Sequence, residues 1–359
     1  MKKYFILFTS LLFLTLGFSQ KKKNSADDLK SSDLSGLKFR SVGPAFMSGR
    51  IADIAINPEN ENEWYVAVGS GGVWKTVNSG TTWSPITDNE SFYSTGCITI
   101  DPHNTSKIWL GTGENVGGRH VGIGHGVYVS NNGGKNWKSM GLKASEHISK
   151  IIVSPKDSEV VFVASQGPLW SSGGERGLYK TNDGGKTWKN VLSVNEWTGV
   201  TDVVINEQNP NILYAATWQR HRNVASYMGG GPGTSIYKST DHGNTWIEIK
   251  NGLPNSNLGK IGLAISPFDS TIVYAAVETD RRNGAVYKTT NSGGNWKKMS
   301  DTVSGATGPH YYQELVASPH VFDKIYLMDT KVQVSENGGK DFYVMNESDK
   351  HVDNHSLTC

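Results

Sequence analysis

An eight-residue phrase returns six times along this chain. It reads Thr76-Val-Asn-Ser-Gly-Thr-Thr-Trp83, Ser130-Asn-Asn-Gly-Gly-Lys-Asn-Trp137 and Thr181-Asn-Asp-Gly-Gly-Lys-Thr-Trp188. It comes back as Ser239-Thr-Asp-His-Gly-Asn-Thr-Trp246, Thr289-Thr-Asn-Ser-Gly-Gly-Asn-Trp296 and Ser335-Glu-Asn-Gly-Gly-Lys-Asp-Phe342. The closing aromatics are 54, 51, 58, 50 and 46 residues apart. A period near 50 means one supersecondary unit, repeated. The phrase is a turn. Asn or Asp at its third position can bond backbone two residues on, and Gly accepts positive φ at no steric cost. The Trp then tucks under the turn as an apolar plug and resumes a strand.

The rest of each repeat predicts strands. An alternating apolar run ends at Asn or Ser and Pro, as in Arg50–Pro58, Lys150–Pro155 and Lys260–Pro267. A second run follows at Glu63–Val68, Asn211–Thr217 and Thr271–Val277. A third leads into the phrase at Gly72–Thr76, Gly177–Thr181 and Ala285–Thr289, and the Trp opens a fourth. β-branched and aromatic runs between Gly, Pro and Asn clusters are strand signals. Four antiparallel strands per repeat make a propeller blade. The expected fold is an all-β propeller with six complete four-stranded antiparallel blades over residues 46–349. His351–Cys359 reads as the start of a seventh, and Leu37–Val42 as the outermost strand of that closing blade. No helix is expected after residue 36. An open sheet edge is a liability, so the propeller, residues 37–359, is expected to be C-terminally truncated, with the remainder of a longer polypeptide missing.

The phrase resembles the Asp-box, or BNR repeat, Ser-x-Asp-x-Gly-x-Thr-Trp. Four of the six copies carry Asn for Asp, and one ends in Phe. The resemblance covers roughly residues 38–359. It is to sortilin-type N-terminal propellers and to bacterial BNR-repeat proteins labelled glycosyl hydrolase, and it implies a turn with a structural, not catalytic, role. Two enzyme families share such propellers. Sialidases have a Phe-Arg-Ile-Pro motif, broken here because Ser41-Val42 follows Phe39-Arg40. Xyloglucanase-type propellers have Thr-Asp-x-Gly-Gly after the second strand. This chain reads Val68-Gly69-Ser70-Gly71-Gly72, so Gly69 stands where the catalytic Asp would be. Glycoside hydrolysis needs a carboxylate pair, and Asp53 and Glu114 are the remaining early candidates.

The ends and the charge bound the class. Lys2 and Lys3 precede an apolar stretch from Tyr4 to Phe18, too short to span a bilayer and fitted to a signal peptide over residues 1–20. Residues 21–36 read as a polar, disordered leader. The protein is therefore expected to be secreted or periplasmic, with no membrane span once the signal is removed. The net charge is +2, which those two lysines supply, so no basic nucleic-acid footprint exists. Gly229–Gly233 is not set between a strand and a helix, so it is no phosphate loop. Cys97 and Cys359, the only cysteines, read as buried thiols. No cofactor is expected.

Topology sorts the remaining residues into two faces. The loops joining second to third strands share one face with the starts of the inner strands. That face carries Arg50, Glu114, Arg119, Gln219, Arg220, Glu278 and Tyr312, expected around one channel mouth. Loops on a rigid scaffold are where binding groups sit. Glu114 is the candidate acid catalyst, and the others are candidate ligand contacts. Arg119, Arg176, Arg220, Arg222 and Arg281 form a ring of guanidinium forks suited to an acidic group, with Arg220 the expected free one. His351, Asp353 and His355 alternate along a strand and could ligate a divalent metal, but the spacing is no specific signature and hydrogen bonding in the channel is preferred. The expected function is a binding module that takes a peptide or carbohydrate at the mouth, as sortilin-type propellers take peptides. A glycoside hydrolase of the sialidase or xyloglucanase type and a structural scaffold are the alternatives.

Overall fold

The computed structural model describes residues 30, 32, 35–36, 49–118, 121–280, 283–301 and 314–358. The chain divides into two units, Met1–Phe46 and Met47–Cys359. In the first, the Ser35 N–H donates to the Ser32 carbonyl at 3.2 Å. The signal stretch and Leu37–Val42 lie outside the described residues.

The second unit is a β-propeller. Among the described residues it holds six four-stranded antiparallel sheets, each laid out in chain order from its innermost strand. The inner strands are Ile51–Ile56, Thr95–Asp101, Ile148–Ser154, Thr198–Ile205, Ile261–Ile265 and Leu315–Ala317. The helical content of the described residues is a 3-10 turn over Lys143–Ser145.

The six phrases fold alike. In each, the first Ser or Thr hydroxyl donates to the third-position side chain and accepts the N–H of the fifth residue. Thr181 Oγ1 gives Asp183 and Gly185 partners at 2.6 and 3.0 Å, and Ser335 Oγ gives Asn337 and Gly339 partners at 3.0 and 2.9 Å. The third-position oxygen also accepts the seventh N–H, at 2.9 Å in Asp183 and 3.0 Å in Asn337. Asn thus replaces Asp without losing the turn. The fifth residue is always Gly because φ is positive there, between 74° and 90°. The fourth residue is left-handed too, even where it is Ser79, His242 or Ser292. Each turn is pinned to the inner hairpin of its own sheet, for example by Ser79 N–H on the Asn62 carbonyl at 3.0 Å.

Neighbouring sheets are tied by two repeated links. The Trp indole N–H reaches back: Trp137 to the Ile86 carbonyl at 3.3 Å, Trp188 to Met140 at 2.7 Å, Trp296 to Ile249 at 3.1 Å. The Trp therefore plugs the seam between sheets rather than only its own turn. The third-strand Lys reaches forward into the next turn: Lys75 to the Gly133 carbonyl at 3.3 Å, Lys180 to His242 at 2.7 Å, Lys238 to Ser292 at 2.9 Å. Each of these lysines also lies over an aromatic ring of its own sheet, as Lys75 over Tyr65 at 4.9 Å. Between the links, each pair of successive sheets shares one apolar cluster. A fully buried side chain there contributes about 1.5–3 kcal/mol.

Candidate functional site

The inner strands of the first four sheets each carry a bulge, just before Asp53, Cys97, Lys150 and Asp202. A bulge re-aims the side chain that follows it. Asp53, Lys150, Asp202 and Glu314 occupy one repeat position and, with Lys260, line a channel cavity of about 60 Å³. The two aspartates also seal strand edges. Asp53 Oδ2 accepts the Ile98 N–H of the next sheet at 2.9 Å, and Asp202 Oδ2 accepts that of Leu263 at 2.8 Å. Asp53 Oδ1 accepts Ser356 Oγ–H at 3.0 Å. Asp53 is thus a structural carboxylate.

Burial sets the protonation of this cluster. It pushes Asp53 and Asp202 up, and Glu314 up to about 7. It pushes the Lys260 ammonium down to about 8, although Glu314 and Asp202 oppose that. Burial alone would lower Lys150, but Asp202, Glu314 and Asp53 outweigh it and hold its pKa up. At the same repeat position Cys97 is a buried free thiol, pushed up by burial and by Asp53. Cys359 lies outside the described residues.

Above the cavity, three second-to-third-strand loops are latched together by arginines. Arg220 is fully buried; its Nη1 donates to the Val116 carbonyl at 3.0 Å and its Nη2 to Gly167 at 3.3 Å. Its guanidinium stacks 5.1 Å over Trp218. Arg222 Nη2 donates to the Gly117 carbonyl at 3.0 Å. Arg176 closes its own loop through the carbonyls of Gly173, Gln166 and Pro168 at 3.1, 2.8 and 2.6 Å. The expectation of a free Arg220 fork is therefore corrected. Without a local acid, the guanidinium meets its donor demand on backbone carbonyls that the loops would otherwise leave bare. Arg119 and Arg281 lie outside the described residues.

Glu114 is equally engaged. Its Oε1 accepts Arg50 Nη1–H at 2.7 Å, and its Oε2 accepts the Gly122 N–H at 2.6 Å. The side chain is nearly buried. A Cβ placed on Gly69 would stand 2.5 Å from Glu114 Oε1. The ion pair thus closes the space beside Gly69.

The other candidates separate. Gln219 Oε1 accepts the Gly233 N–H of its own loop at 2.9 Å. Glu278 Oε2 accepts the Lys260 N–H at 3.2 Å. Tyr312 lies outside the described residues. Residues 351–358 form no strand, and Asp353 has a positive φ of 77°, so the alternation expected of His351, Asp353 and His355 is absent. His351 is exposed, and no group of three metal-ligating side chains occurs among the described residues.

Aromatic groups stand at the same mouth. Trp197 stacks on His221 at 4.3 Å with the rings 6° apart. Arg220 N–H donates to the Trp197 carbonyl, and Arg222 N–H to that of Leu169, which brings Trp170 alongside. Trp170 is 49% exposed, and Tyr93, before the second inner strand, 63%. Tyr227 lies under Arg222 at 4.4 Å. Reading for charge missed Trp197. The channel set was legible as one repeat position, four residues before each inner-strand turn.

The class is a β-propeller. Residues 125–229 match the model of the family described as sortilin, neurotensin receptor 3. A xyloglucanase of Hypocrea jecorina is 25% identical over 256 residues, 63% of this chain and 28% of that protein. The chain thus spans little more than a quarter of that relative. Among solved structures, a GH74 xyloglucanase from Xanthomonas campestris matches with a TM-score of 0.61 at 15% identity, over 81% of this chain and 45% of its own. YCF48 bound to D1 peptide matches with a TM-score of 0.51 at 14% identity, over 83% and 82%. These two show a shared fold. No helix of the described residues is long and apolar enough to cross a membrane.

Proposed function

We propose that this chain is an exported propeller module that binds a glycan at its channel mouth without cleaving it. The observation that carries the reading is the Arg50–Glu114 ion pair packed beside Gly69. A hydrolase needs two carboxyl groups facing the scissile bond, one of them able to hand over a proton. Here the glycine leaves one carboxylate out, and both oxygens of Glu114 already accept hydrogen bonds. The carbohydrate class is supported by the relatives named xyloglucanase. It is supported separately by the mouth. Arg176, Arg220 and Arg222 are taken up by backbone carbonyls, while Trp170, Tyr93 and the Trp197–His221 pair offer flat rings. A neutral sugar stacks the C–H face of its ring on such surfaces, and aromatic side chains carry much of the energy in recognition surfaces generally.

The test is affinity electrophoresis in gels holding xyloglucan and other neutral polysaccharides, with reducing ends assayed in parallel. Retardation without release of reducing ends is expected, with retardation weakened by Trp170→Ala. Release of reducing ends that Glu114→Gln abolishes would install the hydrolase reading, which the relatives' names favour. No retardation by any polysaccharide, with capture of a peptide instead, would install the peptide reading.

A further inference from the structure

The first sheet has one face covered and one bare. Tyr65, Ala67 and Val73 pack against the second sheet. On the other side Ile54, Trp64, Val66, Trp74 and Trp83 line an apolar groove of about 440 Å³. Trp74 is 37% exposed and Trp83 38%. Contiguous apolar surface of this kind marks an interface.

The repeat identifies what covers such a face. The equivalent positions in the second sheet are Ile98, Ile108, Leu110, Tyr128 and Trp137, all packed in the cluster shared with the first sheet. In the fifth sheet they are Leu263, Val273, Ala275, Tyr287 and Trp296, packed on the fourth. The third and fourth sheets follow the same rule. In every such case the cover is the preceding four-stranded sheet. The indole link agrees. Trp137, Trp188 and Trp296 each donate to a carbonyl of the preceding sheet, whereas Trp83 has no acceptor among the described residues.

The innermost place in the gap is already taken. Leu357 packs on Met328, Val332 and Val334 of the sixth sheet. Ser356 Oγ donates to Asp53 Oδ1 at 3.0 Å, and Asp353 N–H to the Thr330 carbonyl at 2.7 Å. Ser356-Leu357 thus repeats the placement of Asp53-Ile54 and its equivalents, a polar side chain toward the channel and an apolar one toward the preceding sheet.

We propose that the groove on the first sheet is an inter-sheet face, and that its occupant is a further four-stranded sheet of the same polypeptide, entered through Ser356-Leu357. That sheet presents small and β-branched side chains to Trp64 and Trp74, and an outer-strand carbonyl to the Trp83 indole. The inference is independent of the ligand at the mouth.

Hydroxyl-radical footprinting tests it, with Trp170 as the exposed reference in the same digest. In the protein isolated from its own source, Trp64, Trp74 and Trp83 should oxidise at least fivefold more slowly than Trp170. In the 359-residue chain expressed alone, Trp74 and Trp83 should oxidise within about twofold of it. Oxidation at the Trp170 rate in the isolated protein would overturn the proposal. So would protection in the 359-residue chain alone. A dimeric mass by sedimentation would then assign the groove to a second copy, and a monomeric mass to residues already within the chain.

Discussion

The two faces of this propeller obey different rules. On one, six turns repeat the same hydroxyl, amide and carboxylate geometry to within a few tenths of an ångström. On the other, no two loops are alike: one is tied by an ion pair, one by an arginine caging its own carbonyls, one by an arginine reaching two neighbours. The repeated face sets the spacing of the sheets through Trp and Lys links. The varied face is free to differ because the spacing is already set elsewhere. That division explains how a fold can be legible while a ligand is not.

The sharpest way to break the comparison is to damage one repeated turn. Gly243 has a φ of 74°, and a Cβ there would meet Phe162 at 2.4 Å. Gly243→Ala adds left-handed strain to overpacking and should cost about 3 kcal/mol, read as a shift of the urea midpoint. A shift below about 1 kcal/mol would show that the turns do not hold the sheets.

The channel between the faces should respond to pH. Glu314 rises from 4.5 to about 7 on folding, so the native state keeps a proton that the unfolded chain has lost. Its contribution is complete below pH 4.5 and is lost as pH rises to about 7. Lys260 falls from 10.5 to about 8, so stability is regained as pH rises through that window. A stability minimum near pH 7–8 is expected, amounting to about 2 kcal/mol at one unit of net shift per 1.36 kcal/mol. Glu314→Gln should flatten the acid limb and Lys260→Met the alkaline one. Thermal melts across pH 4–10 check both, and identical profiles in the variants would refute the assignment.

A milder probe of the repeated face is Ser239→Ala. It removes a buried hydroxyl that serves both Asp241 and Gly243, at 2.8 Å each. A loss of about 1–2 kcal/mol is expected, with glycan retardation unchanged. The smallest stability effect belongs to the mouth. Trp170→Ala should stay within about 0.5 kcal/mol of the parent by urea unfolding, while affinity falls about tenfold or more, the equivalent of 1.4 kcal/mol. Lost stability with unchanged affinity would reverse the roles of the two faces.

Much of the architecture was open to reading in the primary structure. The strand runs, the six turns and their place beside the inner hairpins all follow from local chemistry: Asn or Asp bonding backbone, Gly at positive φ, alternation on a pleat. The indole and lysine links were not legible, since they join residues 46–64 positions apart. Charge led the site reading astray at Arg220. An arginine without a nearby acid looks free in a sequence, but burial forces its donors onto whatever carbonyls surround it.

By itself, then, the sequence determined the period, the turn and the class of fold, because those depend on contacts within about ten residues of one another. It also placed Gly69 where a carboxylate would be needed, which bears directly on catalysis. Tertiary structure decided which side chains are available. It paired Arg50 with Glu114 across 64 residues, buried Arg220, brought Trp170 beside Trp197, and gathered Asp53, Lys150, Asp202, Lys260 and Glu314 from five sheets into one cavity. Availability is a matter of desolvation and of partners, and both are supplied by residues that only the closing of the sheets around a common channel brings within reach.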